Sequence, residues 1–395
     1  MSKFVKLSSI ATLTVGFVGT MAKHYTESGV PLLRSLNIKP FKIVGNDMKY
    51  VSAEFSNSIS KSILHKGDVI IVRTGIPGTC CVVPGEYDGC NCSDVVIVHP
   101  NTSLVDPHYL AAFINVWGQR QVQNNKVGAI QQHFNVHSAE EMLIFLPDLD
   151  VQKRIAAVII ALNSKIENNN SVCFELESMA KTIYDYWFTQ FDFPDADGKP
   201  YRSSGGAMVW NERLKRKLPR GWSSDVIGNI LAKVPNTVRI QTGDYLSKGN
   251  IPIIDQSADF IAGYTNIPSS VLSSPTGYVV FGDHTRIVKY VRFPFARGAD
   301  GTQILKSKDS RVPDELLYQI VRSIDLSNYG YARHFKFLKD TPMIIPTESV
   351  AKEFAKIVTP IYDKYTHLIF ENIELTKLRD WLLPMLMNGQ VTVGD

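Results

Sequence analysis

Two long segments of the sequence carry apolar and polar residues in the same order. LPDLDVQKRIAAVIIALNSKIENNNSVCFELESMAK, from residue 146, aligns without a gap with IPTESVAKEFAKIVTPIYDKYTHLIFENIELTKLRD, from residue 345. Each segment starts with a proline and a helix-capping residue, and apolar residues then recur every three or four positions. This periodicity predicts two long helices that pair along heptad seams, as in a coiled coil.

The seam positions are the residues expected to pair the two helices. They are Val151, Ile155, Val158, Leu162, Leu176 and Ile183 in the first segment, and Val350, Phe354, Ile357, Ile361, Leu375 and Leu382 in the second. Polar residues interrupt both seams near the middle. They form either an antiparallel contact of Lys165 with Glu371 or a solvated stretch in which the seam loosens.

A region of mixed pattern precedes each long helix, and the two regions echo each other. GDVIIVRTG from residue 67 matches in kind GYVVFGDHT from residue 277, and DPHYLAAFINVW from residue 106 corresponds to VPDELLYQIVRS from residue 312. Strands separated by Gly and Pro and followed by a helix predict an α+β fold for each region. The predicted architecture is two similar globules and two long antiparallel coiled-coil helices, related by an internal pseudo-twofold repeat.

The predicted segments follow from this repeat and from one connecting stretch rich in Gly, Pro, Ser and charge, which is expected to be exposed. They are a first globule at 1–147, a first long helix at 148–190, a linker at 191–217, a second globule at 218–346 and a second long helix at 347–395. Because no LPxGW-like lead precedes the first globule, its N-terminal strand is expected to be slightly atypical.

Composition places the chain among folded globular proteins, with 44% hydrophobic and 20% charged residues. The 42 Lys and Arg against 38 Asp and Glu are too even to indicate nucleic-acid binding by bulk charge, so such a function would depend on local patches. The N-terminus lacks a convincing signal-peptide core, and no stretch of about 18 apolar residues occurs. These features predict a cytoplasmic protein.

Recognisable catalytic motifs are missing from the sequence. It contains no phosphate-binding loop, nucleophile elbow, HExxH or tetrapeptide of amino-group DNA methyltransferases. Asp283 and His284 adjoin, but neighbouring side chains in a strand point to opposite faces, so no catalytic residue is expected. The cysteines of TCCVVPGEYDGCNC lack the two-residue spacer of a zinc knuckle; reduced thiols in strands are favoured over a metal site.

What remains is a set of hydrogen-bond donors of the kind that contact DNA phosphates and base edges. In the second globule they are interleaved with aromatic residues that brace them or simply form the core. The candidates in the first globule are Arg73, Thr74, Lys126, Gln131, Gln132 and His133, and those in the second are His284, Arg286, Arg297, Lys306, Arg333, His334 and Lys336.

Together these features resemble the specificity subunits of type I restriction-modification systems over essentially the whole chain. The resemblance is carried by GDVIIVRTGIPGTCCVVP, QQHFNVHSAEEMLIFLP, FDFPDADGKPYRSSGGAMVWN followed by LPRGW, FGDHTR with FARGADGTQILK, and NYGYARHFKFLK.

The resemblance implies that the globules are target-recognition domains, each binding one half of a split, asymmetric double-stranded DNA site. It implies no catalysis and no cofactor in this chain. Two modification subunits would methylate adenine with S-adenosylmethionine, and restriction subunits would cleave DNA with ATP and magnesium. The alternative is a stand-alone DNA-binding coiled-coil regulator without methyltransferase partners.

Overall fold

The computed structural model describes residues 3–118, 134–330 and 333–393. The chain divides into two compact units, unit 1 with Met1–Asn168 and Asn372–Asp395, and unit 2 with Asn169–Glu371. Both boundaries fall inside the long helices, so each unit contains one globule and a part of each helix.

Unit 1 is built on an antiparallel sheet of order β2-β11-β8-β9, accompanied by a second sheet of order β10-β4-β7-β3 and the pairs β1-β12 and β5-β6. Its strands are β1 (Lys3–Lys6), β2 (Ala11–Val15), β3 (Tyr25–Thr26), β4 (Val30–Leu33), β5 (Ile38–Lys39), β6 (Lys42–Ile43), β7 (Lys49–Val51), β8 (Val69–Val72), β9 (Cys80–Val82), β10 (Asn91–Cys92), β11 (Val95–Pro100) and β12 (Leu143–Leu146). Its helices are α1 (Ala53–Ser58), α2 (Pro107–Phe113), α3 (Val136–Glu140) and the first part of α4 (Leu149–Tyr184).

Unit 2 contains sheets of order β20-β19-β22 and β17-β16-β21-β18, with the pairs β13-β14 and β15-β23. Its strands are β13 (Met208–Asn211), β14 (Arg216–Pro219), β15 (Ser223–Val226), β16 (Ile251–Ile254), β17 (Gly263–Thr265), β18 (Val271–Leu272), β19 (Tyr278–Gly282), β20 (Val288–Val291), β21 (Phe295–Arg297), β22 (Thr302–Leu305) and β23 (Pro342–Ile345). Its helices are α5 (Ile227–Ile230), α6 (Asp314–Ser323), α7 (His334–Asp340) and most of α8 (Glu348–Met387).

The strand pairings of the two units correspond. The central strand β8 pairs antiparallel with β9 and β11, as β19 does with β20 and β22. The pair β4-β10 is parallel, as is β16-β21. The α+β class predicted from the sequence is confirmed. The N-terminal strand β1 pairs with β12 just as β15 pairs with β23, so the expectation of an atypical strand was wrong.

Within each unit the long helices contact each other in an antiparallel sense. In unit 1, Arg379 Nη1 donates to Asn163 Oδ1 at 3.1 Å. In unit 2, the Asn169 side chain is 1% exposed and its Nδ2 donates to Glu371 Oε2 at 2.9 Å. Further along in the same unit, Phe354 packs against Phe188 with ring centroids 4.9 Å apart. The Asn169 amide and the Glu371 carboxylate, which interrupt the two seams near their middle, are therefore hydrogen-bonded to each other.

Most of the predicted seam residues are at least partly buried. Ile155 and Phe354 are buried. Intermediate exposure is found at Val151, Val158, Leu162, Leu176, Ile183, Val350, Ile361, Leu375 and Leu382. Ile357 differs, because it is 42% exposed while the adjacent Val358 is fully buried. A strict seven-residue count drifts relative to the 3.6-residue turn, which places Val358 instead of Ile357 on the buried face.

The predicted linker is partly buried, which corrects the expectation of an exposed connection. Phe191 and Phe193 are 3% and 5% exposed. Their rings lie 5.5 Å and 5.2 Å from that of Trp222. The Asp192 carboxylate accepts hydrogen bonds from the backbone and hydroxyl of Ser203, both at 2.7 Å. Aromatic packing thus fastens the start of this segment to the core of unit 2.

All five cysteines are free thiols, and four of them are buried. In the described part of the chain, no group of three or more His, Cys, Asp or Glu residues is arranged to hold a metal ion. Nor do residues 3–118, 134–330 and 333–393 contain a helix that is long and apolar enough to cross a membrane.

One ion pair should make the stability of unit 1 depend on pH. His99 Nδ1 lies 2.6 Å from Oδ1 of Asp68, and this hydrogen bond raises the pKa of His99. Because the folded-state pKa is raised, the stabilisation is complete below the unfolded pKa of about 6.5 and is lost as pH rises through the higher folded value.

His99→Gln should therefore destabilise the protein at about pH 5.5 more than at about pH 8.5. Urea denaturation at both pH values measures this. His137→Gln, at a side chain 82% exposed, is the control, and equal losses at both pH values would contradict the expectation.

Candidate nucleic-acid interface

In unit 2, several loops meet where the central strands end. Gly282, the last residue of β19, is the register partner of Thr302, the first residue of β22. The loops 283–287 and 298–301 therefore leave the sheet at the same end. The start of α7 joins them, because the His334 amide donates to the Asp283 carbonyl at 3.0 Å. Residues 283–287, 298–301 and 333–336 are called loop cluster 2.

Asp283 fastens this cluster from inside. It is 4% exposed, and its Oδ1 accepts a hydrogen bond from the Phe335 amide at 2.7 Å. A carboxylate that accepts from a free amide in the first turn stabilises a helix start. The adjacent His284 is exposed, and both residues lie in the turn after β19 and not in the strand that the sequence predicted. Asp283 thus has a structural role in positioning α7.

Gln256 holds the outer loops together. Its Oε1 accepts from the His284 amide at 3.1 Å, and its Nε2 donates to the Asp300 carbonyl at 2.9 Å. Thr285 Oγ1 donates to the Gln256 carbonyl at 2.7 Å. The loops 283–287 and 298–301 are therefore cross-linked through a single amide side chain, which gives them a defined conformation.

The outer surface of loop cluster 2 is mainly basic, with Asp300 as an exposed acidic residue. His284, Arg286, Arg333 and Lys336 are exposed. Arg286 has a left-handed backbone, with φ of 62°, and its amide donates to the Gly282 carbonyl at 2.8 Å. A non-glycine residue adopts this conformation rarely, so the tight turn fixes the direction in which Arg286 leaves the loop. Such a surface can bind an anionic polymer through phosphate contacts.

Unit 1 has the corresponding cluster. Val72, the last residue of β8, is the register partner of Val95, the first residue of β11. The loops 73–79 and 93–94 therefore leave the sheet at one end. Arg73 Nε donates to the carbonyl of Phe134, in the segment that leads into α3, at 3.1 Å. Residues 73–79, 93–94 and 134–135 are called loop cluster 1.

The two candidates in loop cluster 1 turn inwards. Thr74 Oγ1 donates to Asp94 Oδ2, and Arg73 Nη1 lies 3.8 Å from Asp94 Oδ1. The Arg73 side chain is only 15% exposed. Their placement favours a role in fastening the loop over direct contact with DNA.

Lys306 and His334 likewise have internal partners. Lys306 Nζ lies 2.7 Å from Asp314 Oδ2 and donates to Thr276 Oγ1, also at 2.7 Å. His334 is 3% exposed, with Nδ1 2.8 Å from the Asp283 carbonyl oxygen. Lys306 is held by internal partners, and His334 is buried with its Nε2 lacking a hydrogen-bond partner among the described residues, so placing these two residues on the outer surface is not supported.

Arg297 is partly exposed but also has a hydrogen-bond partner within the fold. Its Nε donates to the Thr302 carbonyl at 2.8 Å, and burial, followed by the charge of Arg239, lowers the pKa of Arg297 to about 10. It remains charged near neutral pH. Arg297 also lines a groove of about 280 Å³ together with Gln303, Asn236 and Lys339. The groove therefore offers further donors in unit 2.

The remaining candidates, Lys126, Gln131, Gln132 and His133, lie outside the described residues. The residues that the sequence did not reveal are Asp94, Gln256 and Ile76. The first two anchor loops through partners far away in the chain. Ile76 is 66% exposed at the tip of the β8-β9 hairpin, and its only sequence signal is the glycine and proline around it.

One solved structure has the same fold as this chain. A solved structure of the S subunit of a type I restriction-modification system from M. genitalium matches with a TM-score of 0.58 over 98% of this chain and 96% of that chain, at 14% sequence identity. This comparison shows a shared fold. No family model matches the chain.

Sequence comparisons give named relatives. The MjaIX type I restriction enzyme specificity subunit of Methanocaldococcus jannaschii is 24% identical over 65% of this chain, and the match spans 62% of that relative's length. The HindI type I restriction enzyme specificity subunit of Haemophilus influenzae is 21% identical over 87% of this chain and 92% of its own length. The chain is thus a relative of type I restriction specificity subunits, and the resemblance seen in the sequence is confirmed. These relatives do not favour a stand-alone regulator.

Proposed function

We propose that the chain is the DNA-recognition subunit of a type I restriction-modification complex. Each globule acts as a target-recognition domain for one half of a bipartite, asymmetric site in double-stranded DNA. The long helices form an antiparallel coiled coil within a pseudo-twofold repeat and dock two modification subunits. The main support is that two loop clusters of the same topology present unlike exposed side chains.

The difference between the exposed surfaces of the two loop clusters bears on the symmetry of the DNA target. Loop cluster 2 exposes His284, Arg286, Arg333 and Lys336, whereas the hairpin tip of loop cluster 1 exposes Ile76. Proteins built from repeats recognise DNA half-sites that follow their own symmetry, so two different surfaces on one framework favour two different half-sites. The resulting target is asymmetric.

The chemistry belongs, in this proposal, to the partners. The modification subunits transfer a methyl group from S-adenosylmethionine to adenine, and the restriction subunits use ATP and magnesium. This chain contributes no catalytic residue and holds no cofactor. Its contribution is to place the modification subunits on the DNA sequence that it binds, which directs both methylation and restriction.

Co-expression with an adenine-specific modification subunit separates this proposal from the stand-alone regulator. We expect one stable assembly of one chain with two modification subunits, which binds a bipartite duplex more tightly than the chain alone. If the chain remains free of the modification subunit and binds its duplex fully by itself, the regulator is the better description.

Arg286→Ala should weaken recognition of one half-site only. Loss of one arginine contact to DNA lowers affinity by about 10- to 100-fold. The assembled complex is titrated with duplexes in which one half-site or the other is scrambled. The variant should lose discrimination at one half and keep it at the other.

Lys199→Ala removes an exposed lysine from the turn after residue 194 and is the matched control. Equal affinity of Arg286→Ala and the unchanged chain on every duplex would contradict this role.

A further inference from the structure

The outermost side chain of the β8-β9 hairpin is apolar. Ile76 is 66% exposed and is followed by Pro77, and the glycines on either side of this pair, Gly75 and Gly78, have φ of 86° and 89°. An isoleucine is stiff at its first side-chain torsion, and proline fixes its own backbone. The tip therefore presents a rigid apolar surface.

This tip is fastened to the fold. The Gly78 amide donates to the Val72 carbonyl at 3.2 Å, and the Thr79 amide donates to the Ile76 carbonyl at 3.3 Å. At its base, Thr74 is held by Asp94, and Arg73 by the Phe134 carbonyl. Single exposed apolar residues are common on proteins. An isoleucine held outwards by a cross-linked loop is a different case, because the hydrogen bonds of the loop keep it 66% exposed.

The corresponding hairpin of unit 2 indicates that the tip of the β8-β9 hairpin belongs to the surface proposed to face DNA. There the β19-β20 turn exposes His284 and Arg286, the residues proposed to contact DNA. The β8-β9 turn occupies the same topological position in unit 1 and exposes no charged side chain at its tip, Gly75 to Gly78. Among unmodified bases, the only apolar group that projects from a base edge into the major groove is the 5-methyl group of thymine.

We propose that Ile76 recognises the 5-methyl group of a thymine in the half-site bound by unit 1. Pro77 and the two glycines hold Ile76 in place, and Arg73 and Thr74 position the loop through Phe134 and Asp94. This inference rests on the proposed function. It makes the half-site of unit 1 dependent on a methyl group, and that of unit 2 dependent on charged donors.

The test pairs a protein variant with a DNA variant. The complex assembled with its modification subunits is titrated with its bipartite duplex, in which deoxyuridine replaces each thymidine of one half-site in turn. The half-site insensitive to Arg286→Ala is assigned to unit 1. There, one uridine should weaken binding by about fourfold, as expected for loss of one buried methyl group. Ile76→Ala should bind more weakly and should no longer distinguish thymidine from uridine.

Leu104→Ala is the matched control. Leu104 is 43% exposed and follows β11, so it lies at the opposite end of this strand from Asp94. This variant should keep the full thymidine preference.

The proposal is overturned if the half-site of unit 1 lacks thymine, if uridine has no effect, or if Ile76→Ala keeps the preference. Weakening by Ile76→Ala on all sequences alike would also overturn it and would indicate a non-specific wedge. In each of these outcomes specific binding of the bipartite duplex persists, whereas its absence would instead refute the proposed function.

Discussion

Phe354→Ala should lower the free energy of unfolding of unit 2 by about 3–5 kcal/mol, the usual cost of removing a buried phenylalanine side chain. Phe354 is fully buried, and its ring lies 4.9 Å from that of Phe188 and 6.0 Å from that of Trp187. It therefore joins α8 to the end of the first long helical segment. Urea denaturation followed by tryptophan fluorescence measures the loss, because Trp187 and Trp222 belong to this hydrophobic cluster.

Ile357→Ala is the matched control for this change. Ile357 lies one turn further along α8 and is 42% exposed. Its truncation should cost less, about 1–2 kcal/mol, since 42% of its surface already contacts solvent. Comparable losses for both variants would mean that the heptad count describes the buried face better than the structure does.

Glu315→Gln should also destabilise unit 2, by about 2 kcal/mol, because it removes the buried partner of Arg292 and leaves that guanidinium only the 59% exposed Asp363 carboxylate, 3.0 Å away. Arg292 Nη1 lies 2.7 Å from Glu315 Oε1, with the two side chains 11% and 5% exposed. The same Oε1 accepts a hydrogen bond from Thr359 Oγ1 of α8 at 3.0 Å. Glu315 thus links the β20 end, α6 and α8.

Two further variants isolate the ion pair as the cause. Glu353→Gln removes a glutamate that is 62% exposed and pairs with Lys356 at 3.7 Å, so its cost should stay below about 1 kcal/mol. The double variant Arg292→Met and Glu315→Leu removes both charges and should regain most of the stability lost in Glu315→Gln. If the double variant is less stable than Glu315→Gln, packing and hydrogen bonding at these positions outweigh charge compensation.

The features that could be predicted from the sequence are the helices and strands that depend on local periodicity. The prolines and capping residues at 147–148 and 346–347 mark the starts of two helices, observed from Leu149 and Glu348. The apolar runs between glycines predict the central strands β8 and β19. Local pattern does not determine which face of a long helix is buried over many turns, because small deviations from seven-residue spacing accumulate. Ile357 and Val358 show this directly.

The candidate site was harder to predict, because the partner of a polar side chain can lie far away in the sequence. Arg73 is held by Phe134, Lys306 by Asp314 and His334 by Asp283. Composition alone gives these three residues the same weight as Arg286 and Arg333, which are exposed. Only the fold separates basic residues that hold loops from basic residues that remain available to a ligand.

The most direct test of the central claim is to map methylated adenines in the DNA of cells that contain the chain and its modification subunits. We expect methylation within a two-part, asymmetric motif with a spacer of fixed length, and we expect this motif to disappear when the chain is deleted. Arg286→Ala should alter one part of the motif and leave the other part unchanged. Methylation that persists without the chain, or that follows one uninterrupted symmetric motif, would contradict a bipartite DNA-recognition subunit.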